Sequence, residues 1–203
     1  MIRELFSARV YQGVLLQDVP AREAMRDCAL ASHARNNPDG MPWSRMHCQN
    51  ILTAPESGTI FDALAAEVQR VVVGSYGCTP MTMTAREVVV QPGQFLPLHA
   101  ESTELSAVYW IDGQARPEGK RQNYAGALAL VNPSGAYGAR KLPWEGWRSE
   151  LIHASPGMLL VFPSYLAHHT HPYNGESASV ELHFEITLNP QDMKRQHHHH
   201  ANS

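Results

Sequence analysis

Polar and apolar residues alternate one by one along residues 177–188, SASVELHFEITL. Even positions carry Ala178, Val180, Leu182, Phe184, Ile186 and Leu188; odd positions carry Ser177, Ser179, Glu181, His183, Glu185 and Thr187. A period of two is that of a strand with one face on an apolar layer and the other toward polar groups or water. The same reading predicts strands at about 84–91, 95–100, 104–112, 126–131, 149–153, 157–162, 166–171 and 177–188. Turn signals separate most of them: PG at 92–93, DG at 112–113, NPSG at 132–135, PG at 156–157 and NG at 174–175.

The first 80 residues have a different texture. Asp18, with Pro20 in the first turn, opens a helix that runs to about residue 33. Ser57 or Thr59 caps a second helix, whose stripe is Ile60, Phe61, Leu64, Val68, Val71 and Val72, stopped by Gly74 and Gly77. The chain therefore reads as mostly β with N-terminal helices, a sandwich or jelly roll whose apolar sheet face receives the helices. We expect one domain over 1–190, helical at about 18–75 and a barrel at about 84–188. The end, 191–203 with HHHH at 197–200, reads as a disordered tail that binds metal adventitiously.

Composition narrows the class. With 203 residues, 43% hydrophobic and 17% charged, the chain supports one full core. A net charge of −3 recruits neither nucleic acid nor an anionic membrane. The N-terminus MIRELFSARVYQ has no signal-peptide core, and no run has the length of a membrane span. Cys28, Cys48 and Cys78 are far apart without CxxC, which suits free thiols in the cytoplasm and argues against a disulfide framework and a thiolate zinc site.

Candidate chemistry lies at strand ends. In LPLHAESTELSAVYWI, 96–111, His99 and Glu101 are two apart and share a strand face. PGMLLVFPSYLAHHTHPYN, 156–174, ends in His168, His169 and His171. Either His168 or His169 is positioned to return toward His99 and Glu101 across a jelly roll. Two imidazoles and one carboxylate with open positions opposite is the ligand set of non-haem Fe(II) oxygenases. A solvated rim of histidines is the bland alternative.

Motif order then adds a resemblance. LSAVYWI at 105–111, GALALVNP at 126–133, FPSYLAHHTHP at 162–172 and MPWSRMHCQNIL at 41–52 resemble segments of small bacterial and phage 2-oxoglutarate/Fe(II)-dependent oxygenases. The resemblance spans about 41–188. It implies a double-stranded β-helix of cupin-like form, with Fe(II) and 2-oxoglutarate as cofactors and molecular oxygen and a small molecule as partners. It selects His168, with His99 and Glu101, as the metal ligands. The family's last strand resembles RISIxFN, whose Arg grips the distal carboxylate of 2-oxoglutarate. Matched to SASVELHF, this puts Ser177 in place of Arg, keeps Ser179, and puts His183 in place of Asn. A serine cannot supply the bidentate, charge-assisted contact of a guanidinium. Arg86 on the first barrel strand is the leading substitute, with Arg140, Lys141 and Arg148 behind it. Tyr109 is a further candidate for the bound acid, and Glu181 and His183 for the substrate wall. The stretch 133–150, with Trp144 and Trp147, reads as a lid, a surface loop or a homodimer contact.

Three functions compete. One is an Fe(II) oxygenase oxidising a small polar substrate. The second is a cupin-type metalloenzyme without an oxo acid, favoured by Gly93 ahead of His99 and by the missing Arg. The third is a non-catalytic jelly roll that only binds.

Overall fold

The structure is a computed structural model that describes residues 8–15, 18–37, 39–42, 50–113, 115, 124–133 and 149–201, with backbone alone from 196 onward. In chain order it forms β1 (Tyr11–Val14), α1 (Val19–Asn36), a 3-10 turn (Pro55–Ser57), α2 (Asp62–Tyr76), β2 (Pro80–Val90) and β3 (Leu105–Asp112). There follow β4 (Leu128–Val131), β5 (Ser149–Ile152), β6 (Met158–Pro163), β7 (His168–Thr170), β8 (Ser179–Leu188) and α3 (Pro190–Ala201).

The strands build a five-stranded sheet, β1-β6-β3-β8-β2, and a three-stranded sheet, β5-β4-β7, with every pairing antiparallel. Period-two alternation sorts the side chains between two cores. Val180, Leu182, Phe184 and Ile186 of β8 join Leu105, Ala107, Tyr109 and Ile111 of β3, and pack on Met25 and Ala29 of α1 and Leu64, Val68 and Val72 of α2. The other face of the large sheet sends Val108, Trp110, Leu160 and Phe162 against Leu128 and Leu130 of the small sheet. The expected orientation of the last strand holds. The helix lying directly across β8 is α1, which also covers β2 and β3, while α2 lies against β2. Ser32 Oγ and Asn36 Nδ2 of α1 donate to buried Glu87 Oε1 of β2 at 2.8 and 3.3 Å, polar contacts that tie helix to sheet.

Several sequence expectations are corrected. Ser57 and Thr59 do not cap α2; a 3-10 turn occupies Pro55–Ser57, and α2 begins at Asp62. The helix passes through Gly74 and stops at Gly77, whose left-handed φ of 68° suits glycine. No strand forms over 95–100. Pro97 has no N–H to give a ladder, and only an isolated bridge joins His99 to His168. β1 was not foreseen. It is only four residues long, and its burial alternates weakly at the edge beside β6. The chain end is helical to Ala201 rather than disordered from 191. Asp192 Oδ2 accepts the Thr79 N–H at 3.0 Å, and Met193 packs against the main core, which anchors the first turn of α3. Arg140, Lys141, Arg148, Trp144, Trp147 and most of 41–52 lie outside the described residues.

Candidate metal centre

The bridge between His99 and His168 brings two imidazoles together at the junction of the two sheets. Backbone bonds run both ways, His99 N to His168 O at 3.0 Å and His168 N to His99 O at 2.8 Å. The ring centroids lie 4.2 Å apart. Each ring makes the same local contact: His99 Nδ1 donates to Pro97 O at 2.8 Å, and His168 Nδ1 to Leu166 O at 3.0 Å. A carbonyl only accepts, so each Nδ1 carries the hydrogen and each Nε2 keeps a lone pair. That is the outer support that metal-binding histidines need. Burial holds both rings neutral. It pushes His99 below the usual imidazole range, and with the neighbouring His99 it pushes His168 down to about 3.

The carboxylate stands beside them. Glu101 Oε1 is 3.7 Å from His99 Nε2. The same oxygen accepts Arg86 Nη2 at 2.6 Å. As the side chains stand, no three His, Cys, Asp or Glu among the described residues converge into an ion-holding cluster. The donor types nonetheless suit a metal, with two neutral imidazoles presenting free Nε2 atoms and one carboxylate in front of them.

A cavity of about 170 Å³ opens here, lined by Arg86, Val88, Leu96, Pro97, His99, Ala100, Glu101 and His183. Register explains the lining. Arg86 pairs with His183, and His183 with Val108, so the odd face of β8 looks toward the small sheet. Ser179, Glu181 and His183 are buried on that face. Ser179 Oγ donates to Glu181 Oε1 at 3.0 Å, and His183 Nε2 contacts Glu181 Oε2 at 2.8 Å.

The remaining candidates separate. His169 pairs with Ala129, one residue out of phase with His168, and its ring lies 5.2 Å from that of His171 rather than against His99. Tyr109 does not reach the cavity. Its position on β3 sends it into the helix-side core, where it is fully buried with its hydroxyl unpartnered, and burial raises its pKa to about 12. Ser177 is exposed and precedes β8, so the strand's first inward residue is Ser179. Arg86 and Ser179 also serve different depths. Ser179 pairs with Val90 and His183 with Arg86, a separation of roughly 13 Å along a strand. The sequence reading missed Glu185, whose Oε1 lies 3.7 Å from Arg86 Nη1. Strand parity put it on the inward face, but nothing in the sequence paired it with Arg86.

Residues 87–185 match the family model described as "Putative 2OG-Fe(II) oxygenase". No curated protein matches the chain. Among solved structures, a prolyl-4-hydroxylase from Pseudomonas putida is similar at 15% identity and a TM-score of 0.54, over 90% of this chain and 89% of that one. HygX from Streptomyces hygroscopicus, solved with nickel and 2-oxoglutarate, is similar at 14% identity and 0.58, over 89% and 82%. The 2-oxoglutarate-dependent carbocyclase SnoK from nogalamycin biosynthesis is similar at 12% identity and 0.60, over 90% and 80%. At such identities the structures show a shared fold, the double-stranded β-helix, and the family match falls on the barrel that holds the site. The barrel segment 87–185 is thus similar to 2OG-Fe(II) oxygenases. No helix among the described residues is long and apolar enough to cross a membrane.

Proposed function

We propose that His99, Glu101 and His168 hold the Fe(II) of an oxygenase that oxidises a small polar substrate. The observation that carries this is the matched pair of imidazoles, each with Nδ1 tied to a carbonyl two residues back, with Glu101 Oε1 3.7 Å from His99 Nε2. When bound, Fe(II) with 2-oxoglutarate supplies the oxygen activation and C–H oxidation of this enzyme type. The protein's own residues do the positioning. The carbonyls of Pro97 and Leu166 fix the ring tautomers, and edge-on contact with Phe162 restrains His168. Arg86 is the cation available to an acid co-substrate; its Nε is buried and carries no hydrogen bond. His183 lines the cavity and contacts Glu181 Oε2 at 2.8 Å, and this pair is taken as the polar inner wall, which favours a substrate bearing hydrogen-bonding groups over a hydrocarbon.

The same reading takes residues 1–190 as one domain, acting in the cytoplasm as a homodimer. The free thiols of Cys28 and Cys78 support the cytoplasmic setting. Sedimentation of the purified chain tests the dimer. The main test is anaerobic titration of 2-oxoglutarate into protein supplied with Fe(II). A metal-to-ligand charge-transfer band is expected in the natural protein and in His169→Ala, and is lost in His168→Ala. A band that survives His168→Ala and disappears in His169→Ala would sink the ligand assignment.

A further inference from the structure

One cation in the cavity faces two carboxylates. Arg86 Nη2 donates to Glu101 Oε1 at 2.6 Å, while Nη1 lies 3.7 Å from Glu185 Oε1. The Glu101 oxygen it holds is the one that faces His99 Nε2 at 3.7 Å. A metal seated between the imidazoles and Glu101 therefore competes with Arg86 for the oxygen nearest His99. A guanidinium beside a divalent ion is also repelled by it. Both facts favour a change of partner when metal arrives.

We propose that Arg86 is an exchangeable counter-cation, which holds Glu101 in the metal-free chain and yields it to the metal by turning to Glu185 and to the acid co-substrate. This rests on the ligand assignment above. The strand geometry supplies each part. Arg86 and Glu185 sit on adjacent paired strands, where Thr84 is directly opposite Glu185 and Arg86 opposite His183, so the two are diagonal neighbours on one face. The guanidinium lies between the two carboxylates, with Nη2 on Glu101 and Nη1 3.7 Å from Glu185. Arg86 itself lines the cavity, so a guanidinium released from Glu101 stays within reach of an anion bound there. The device has two purposes. It keeps the Glu101 carboxylate neutralised close to its working position before loading. It also makes the cation available to the co-substrate once metal has released it.

The exchange predicts effects of opposite sign from one substitution, which a purely structural role does not produce. Co(II) is titrated into the full chain and followed by its visible d–d absorption, with His99→Ala/His168→Ala as the blank for the histidine-rich tail. Arg86→Gln is expected to bind Co(II) about tenfold tighter than the natural protein, the scale of one charge-assisted contact removed from competition. The Co(II)-loaded Arg86→Gln protein should then bind 2-oxoglutarate about tenfold more weakly or worse. Glu185→Gln, at a partly exposed position, should bind Co(II) several-fold more weakly because Arg86 loses its second partner. Unchanged or weaker Co(II) binding by Arg86→Gln overturns the exchange, as does unchanged binding by Glu185→Gln. A blank that takes up Co(II) as well as the natural protein overturns the ligand assignment and the exchange together.

Discussion

Metal-free protein should lose stability below neutral pH because of His168. Its ring is 2% exposed and is held neutral to about pH 3, whereas an unfolded histidine protonates near 6.5. Below about 6.5 the unfolded chain therefore binds a proton that the native chain refuses. The unfolded state carries more protons, so unfolding free energy rises with pH. The contribution is present above about 6.5 and is lost progressively as pH falls from there toward about 3. At pH 5 the medium lies about 1.5 units below the unfolded value, and at about 1.4 kcal/mol per unit the loss relative to pH 7 is about 2 kcal/mol. The assay is urea unfolding of chelator-treated protein at pH 7 and pH 5, natural chain against His168→Asn. Carboxylates and other histidines titrate in both, so the difference in pH dependence isolates His168. The natural chain should lose about 2 kcal/mol more than the variant between the two pH values. Equal losses would show that the ring is not shielded from water, and with it that the His99–His168 bridge is not closed.

Three more predictions follow from the placements. Phe184→Ala removes a ring that is 1% exposed between β8 and the helices and should cost about 3–5 kcal/mol in urea unfolding; a cost below about 1 kcal/mol would put that face in solvent. Tyr109→Phe deletes a buried hydroxyl with no partner, so stability should stay level or rise by about 1 kcal/mol, with 2-oxoglutarate affinity unchanged; weakened co-substrate binding by calorimetry would return Tyr109 to the site. Ser177→Arg restores the residue of the family pattern at an exposed position outside β8 and should leave 2-oxoglutarate affinity unchanged; tighter binding would mean that the chain before Ser179 turns inward in the working enzyme.

Local pattern determined a good deal of this protein by itself. Alternation along 177–188 separated a core face from a polar face because strand side chains point to opposite sides in turn, and no tertiary information is needed for that. The stripe Leu64, Val68, Val71 and Val72 gave α2 its buried side for the corresponding helical reason. The two-residue spacing of His99 and Glu101 marked the candidate site, and motif order chose His168 over His169. Pairing was beyond the reach of such patterns. Which strand lies beside which is decided by long-range closure of two sheets, and only that closure set Arg86 against Glu101 and Glu185. Tyr109 shows the same limit. A tyrosine in an apolar run suits either side of a sheet, and the register of β3 between β6 and β8 sent it to the helices. Ser177 failed as a site residue because a strand's first residue is fixed by where its partner begins, and β2 ends its ladder with Val90 opposite Ser179. The two histidines and the carboxylate of the candidate site were written in the chain; the guanidinium that holds the carboxylate was placed by the fold.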